Sequence, residues 1–287
     1  MGVKKNQWGT GLKISFCFLL SFGLIVLLNR IQYYQRHGFE APKPQTYNGY
    51  RVGNLGGMPV NIKANLIQPI VEYDGDPSVW TGEPRNRVAR TYESKINSFG
   101  FEMRYTDGAM MTWREREADI KNNYPLYNHP WVDVVISSGE SYPRSGDGFL
   151  DRVTKRMTGE NNYQGYEKLP QKEYGLEVYA WSGIDPKTKL PRRQNRDAKD
   201  LFIYRNVQGK VLAYITCSNV VLASVSCIHT FSMEEAHLKI KVSVLYNRRF
   251  LLPEWRKIQE KVSEVILSFR ASQSVAAELV LPNKDQF

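Results

Sequence analysis

Apolar positions along the chain follow three patterns: one unbroken run near the N-terminus, a series of alternating stretches, and one stripe at helical spacing near the C-terminus. Alternation is the mark of a strand with one buried face. It places Phe99, Phe101, Met103 and Tyr105 on one side of Ser98 to Tyr105, and Val132, Val134 and Ile136 on one side of Trp131 to Ser137. Gly175 to Trp181, Leu201 to Asn206, Val211 to Ser218 and Val225 to Phe231 read as further strands, with a turn at Asn206-Val-Gln-Gly209. Leu238, Ile240, Val242, Val244 and Tyr246 alternate along another. Together they predict an antiparallel meander with one face buried. The helical stripe runs Trp255, Ile258, Val262, Val265, Ile266 and Phe269, after a Pro253 suited to a first helical position. The fold class this predicts is α+β, a mainly antiparallel sheet with a C-terminal amphipathic helix packed on it.

Weaker signals fill the rest. Ile67, Ile70 and Val71 suggest a strand ending in the acidic turn Asp74 to Pro77, and short helices fit Thr112 to Asn122 and Phe149 to Met157. Gly53 to Val60 reads as turns and close backbone approach, and residues 159–173 as loop.

The unbroken run is Ile14 to Leu28, uncharged throughout. Extended to Leu12–Ile31 it is a transmembrane helix of about the length a ~30 Å hydrocarbon core requires. Lys13 and Arg30 then snorkel to the interfaces, with Trp8 on one side and Tyr33 and Tyr34 on the other. A cleaved signal peptide is the competing reading, but Leu28-Asn-Arg-Ile-Gln-Tyr-Tyr34 offers no small-residue cleavage site. A lipoprotein signal would need a small residue where Phe16 precedes Cys17. Lys4, Lys5 and Lys13 before the span, against Arg30 and Arg36 after it, favour a cytoplasmic N-terminus. The expected organisation is therefore a cytoplasmic segment 1–11, a span 12–31, a linker 32–50 containing Pro42 and Pro44, and an exported domain 51–287.

The net charge of +10 changes the picture little, because four basic residues without an acid flank the span and leave +6 elsewhere. That remaining charge, without interleaved aromatic platforms, does not indicate nucleic acid. It is concentrated in one excursion, Asp185 to Lys199, where Lys187, Lys189, Arg192, Arg193, Arg196 and Lys199 face two acids. Such a run is either a solvated loop or an arm for an acidic partner or lipid headgroups. Lys189, Arg192, Arg193 and Arg196, with Asp74 and Asp76 of the acidic turn, are the candidate partner-binding residues.

Cys217 and Cys227 lie in consecutive strands, equidistant from Leu222. A hairpin turning there sets them directly opposite one another, within disulfide reach. Two buried free thiols are the alternative. A disulfide belongs to an oxidising compartment, the same side to which the span would export the domain.

Candidate chemistry is sparse. His37, His129, His229 and His237 show no metal-ligand spacing. Ser137-Ser-Gly-Glu-Ser141 lacks the pattern of a nucleophile elbow. Asp74-Gly-Asp-Pro-Ser78 fails as a calcium loop, since Val79 and Arg85 stand where Gly and Glu are needed. No catalytic residue, metal or cofactor is assigned.

Several stretches carry a resemblance: Gly53 to Val60, Val71 to Pro77, Arg90-Thr-Tyr-Glu-Ser-Lys95 with Ser98-Phe-Gly-Phe101, the cysteine pair, and Leu252-Pro-Glu-Trp255 with Ile258. In these the chain resembles bacterial inner-membrane-anchored periplasmic proteins that accompany type VI secretion phospholipase effectors as immunity or accessory proteins. The resemblance implies a protein that binds a toxin domain stoichiometrically and occludes its active site, with no catalysis of its own. A structural or assembly subunit of an envelope complex and an envelope hydrolase with an unrecognised site are the alternatives.

Overall fold

A computed structural model describes residues 49–77, 89–125, 127–144, 148–159, 165–195, 197–219 and 225–271. The predicted span 12–31, the cytoplasmic segment and most of the linker lie outside them, as does Arg196. Among the described residues no helix is long and apolar enough to cross a membrane. The chain divides into two units, Met1–Pro44 and Gln45–Phe287, and every described residue belongs to the second.

Among the described residues eleven strands build two antiparallel sheets. The larger holds β3 (Ile67–Tyr73), β4 (Ile96–Arg104), β5 (Trp131–Ser137), β6 (Tyr166–Lys168), β7 (Glu177–Trp181), β8 (Lys199–Arg205), β9 (Val211–Ser218), β10 (Ser226–Ser232) and β11 (Lys241–Asn247). Its order is β3-β4-β5-β11-β10-β9-β8-β7-β6, so the C-terminal half is the meander the alternation predicts and β11 joins it to β5. The smaller sheet is the hairpin β1 (Tyr50–Leu55) and β2 (Met58–Lys63). The α-helices described with them are α1 (Trp113–Asn123), α2 (Phe149–Thr158), the short α3 (Arg248–Leu251) and α4 (Trp255–Ser268).

The front of the large sheet is closed by α4. Phe99, Phe101, Met103, Val134, Ile136, Ile215, Phe231, Val242 and Val244 meet Trp255, Ile258, Val262, Val265 and Ile266 in one core. The hairpin completes this cover with Leu55, Met58, Val60 and Ile62. It is tied to the chain after α4, where Asn61 N donates to Phe269 O and Ala271 N to Pro59 O.

The glycine-rich stretch 53–60 thus forms a hairpin rather than turns alone. Gly56 and Gly57 take the turn at φ +58° and +107°, conformations that L side chains avoid. The expected close approach is real at Gly53, where a Cβ would stand 2.7 Å from Ile96 Cγ1. A second correction concerns residues 159–173, which hold the short strand β6. The third is that burial is not confined to one face. On the back, α2 and Tyr142 pack over Leu201, Ile203, Val211 and Tyr166 in a separate smaller core. The signal for it was present in β8, where Leu201, Phe202 and Ile203 are consecutive apolar residues and all buried.

Cys217 and Cys227 are direct register partners and form a disulfide, with Cα atoms 4.0 Å apart. Both are fully buried on the front.

Candidate partner-binding surface

The basic excursion is a folded ornament, not a free arm. Asp185 accepts from the Lys187 and Thr188 amides and from Asn195 Nδ2, and these bonds hold its carboxyl down at about 2. Arg193 turns inward: its Nε and Nη2 fork onto Asp200 Oδ1 and Oδ2 at 3.0 and 2.9 Å. Asp200 is fully buried, and Arg248 Nη2 reaches its Oδ2 from β11's end at 2.7 Å. Two guanidinium groups on one buried carboxylate make a structural clamp. Arg193 is committed to it, Arg192 is half-buried, and Lys189 is exposed at φ +59°.

The acidic turn is likewise internal bracing. Asp74 Oδ1 accepts from the Glu140 amide at 2.9 Å, tying the end of β3 to the turn after β5. Gly139 is required there, because a Cβ would stand 2.3 Å from the same oxygen. Asp76 pairs with Arg90 at 2.5 Å, and Arg90 lies over the Tyr73 ring. Among the described residues no three His, Cys, Asp or Glu side chains gather as metal ligands.

Between the hairpin turn and the ends of β3 and β5 opens a groove of about 1020 Å³. Its charges are mixed, with Asp74, Glu93 and Glu140 against Lys95, Arg144 and Lys239. Its buried hydroxyl, Ser138 Oγ, has no hydrogen-bond partner among the described residues. The histidine with the largest displacement lies elsewhere, in the front core. Burial pushes His229 down to about 4; its Nε2 meets Gln259 Oε1 at 3.1 Å, and the rings of Phe231, Tyr246 and Trp255 surround it.

The back of the sheet presents a different surface. Register places Gly100, Val135, Ser243, Thr230 and Tyr214 in one row across β4, β5, β11, β10 and β9. The next row is Glu102, Asp133, Leu245, Ile228 and Thr216. Within these rows Thr230 is buried, but Val135 is 44% exposed and Ile228 38%, both on interior strands.

One end of this strip is acidic. Glu102 and Asp133 oppose each other directly. Arg116 of α1 sets Nε 2.7 Å from Glu102 Oε2, too far off line for a hydrogen bond, and its Nη1 is 3.9 Å from Asp133. Burial outweighs that attraction, and with the neighbouring Asp133 it pushes the Glu102 carboxyl up. α1 itself buries no residue. It is held by Arg116 and by Asp119, whose Oδ2 accepts from Trp131 Nε1 at 2.7 Å and from Arg104 at 3.2 Å.

None of the described candidate residues chosen from charge lies on this strip. Composition could not reveal it, because Val135, Leu245 and Ile228 come together only once β11 is placed between β5 and β10.

Fold and surface together define an α+β domain with an antiparallel sheet, one sealed face and one partly open face. No protein-family model and no curated protein matches the chain. Two solved structures are similar to it. One is Smlt3025, an immunity protein of the Stenotrophomonas maltophilia type IV secretion system. It is 19% identical, with a TM-score of 0.48, over 79% of this chain and 98% of that one. The other is FrpD, an iron-regulated outer membrane lipoprotein of Neisseria meningitidis, 12% identical with a TM-score of 0.37 over 81% and 98%.

Proposed function

We propose that this chain is a non-catalytic binding protein, tethered to a bacterial inner membrane through residues 12–31 with its domain in the periplasm, that neutralises a type VI lipase-like effector. The observation that carries the binding role is the back of the sheet. Aliphatic side chains left uncovered on interior strands of a disulfide-stapled sheet suit a docking partner. The nature of that partner rests on the sequence resemblance. The buried disulfide accords with an oxidising compartment. The charged groups that sequence singled out, Arg193, Asp74 and Asp76, brace the fold.

The test is coproduction of the full chain with the product of a neighbouring lipase-like effector gene. The reading expects a stoichiometric complex and restored survival under attack by effector-armed siblings. No complex, together with unchanged survival, would sink it.

A further inference from the structure

The uncovered strip has its own chemistry. Its middle is aliphatic and small: Val135 opposes Gly100 and Ser243, and Leu245 lies between Asp133 and Ile228. Its β4–β5 end is the opposed pair Glu102 and Asp133, with side-chain exposures of 14% and 55%. Like charges directly opposite on a sheet repel. Arg116 pairs with both, 2.7 Å from Glu102 and 3.9 Å from Asp133, and the Asp133 side chain stays more than half exposed. A cation arriving from outside would meet a carboxylate pair whose repulsion it relieves. The two rows contain no basic side chain, so among the described residues Arg116 alone answers both carboxylates, and a second copy laid row to row would add further carboxylates.

Resting on the neutralisation reading, we propose that the effector docks on this strip, laying an apolar patch over Val135, Leu245 and Ile228 and an arginine or lysine against Asp133 and Glu102. Apolar contact supplies the anchor at the centre of the interface, and the charge pair fixes its register. The groove of mixed charge and the basic excursion lie outside this interface.

A photo-crosslinking residue at Ile228, in the full chain in bacterial membranes with the effector coproduced, tests the placement. The same residue at Val207, 96% exposed on the β8–β9 turn, is the control. The expected result is an adduct of chain plus effector from position 228 and none from 207. Asp133→Lys should weaken effector binding about tenfold or more while leaving the melting temperature near that of the wild type. Three results overturn the surface while leaving neutralisation standing: an effector that copurifies but is not captured from 228, equal capture from 207, or an adduct of twice the chain's own mass. If the wild-type chain binds no effector at all, the neutralisation reading fails and the surface falls with it.

Discussion

On the front of the sheet, α4 and the β1–β2 hairpin bury a large apolar core, and even the histidine there is held neutral. On the back, α2 seals one end, α1 leans on the other through ion pairs and hydrogen bonds, and the strip between them stays partly open. Both faces belong to the same strands, so the difference lies in what covers them. The front is organised for stability. The back leaves Val135 and Ile228 partly in water on interior strands.

Substitutions should therefore cost far more on the front than on the back. The largest effect is expected at Phe101, which is 2% exposed and edge-on to Phe269 at 5.5 Å. Phe101→Ala should lower unfolding free energy by about 3–5 kcal/mol in denaturant titration of the full chain in detergent. Loss of less than a third of that would mean α4 is not the element that seals the sheet.

Acid should attack the same face. His229 is neutral in the fold down to about 4, whereas in the unfolded chain it takes a proton near its ordinary 6.5. The unfolded state then binds more protons between those values. Its contribution is intact above 6.5 and is lost progressively as pH falls towards 4, up to about 3 kcal/mol. The carboxylates titrate in part of this range, so the quantity to compare is the pH slope of wild type against that of His229→Gln. Identical slopes would show that His229 is not buried as described.

Smaller still is the staple. Replacing Cys217 and Cys227 together by serine should cost about 2–3 kcal/mol, measured by thermal melting. On the back, Asp119→Ala removes the bonds to Trp131 and Arg104 and should cost only about 1–2 kcal/mol, with amide exchange faster in α1 than in β4 or β5. Uniform loss of protection across the sheet would mean α1 is part of the core and the contrast between faces is false.

The front was legible in the sequence because its signals are local. Phe99, Phe101 and Met103 alternate within one strand, and Trp255 through Phe269 repeat within one helix. The Cys217–Cys227 pairing followed from symmetry about a single hairpin. The β1–β2 hairpin was hidden because glycines at 53, 56 and 57 interrupt its apolar pattern. Three-residue β6 has too few positions to show a period. At the candidate residues, charge alone did not show which groups are engaged inside the fold. Arg193 reads as a free cation until Asp200, an isolated acid at the start of β8, proves to be buried beneath it. The strip is non-local altogether, since Val135 and Ile228 are distant in sequence and are joined only through Ser243 and Leu245 of β11.

The most direct test of the contrast is one residue with opposite demands on stability and binding. Ile228→Lys should change unfolding free energy by no more than about 0.5 kcal/mol, because its side chain is already partly in water. The same change should weaken the dissociation constant of the full chain for its effector by about a hundredfold, since it removes an apolar anchor and repels the partner's cation. An unchanged dissociation constant, measured on a variant that melts like the wild type, would contradict the claim that the open back face is the binding surface.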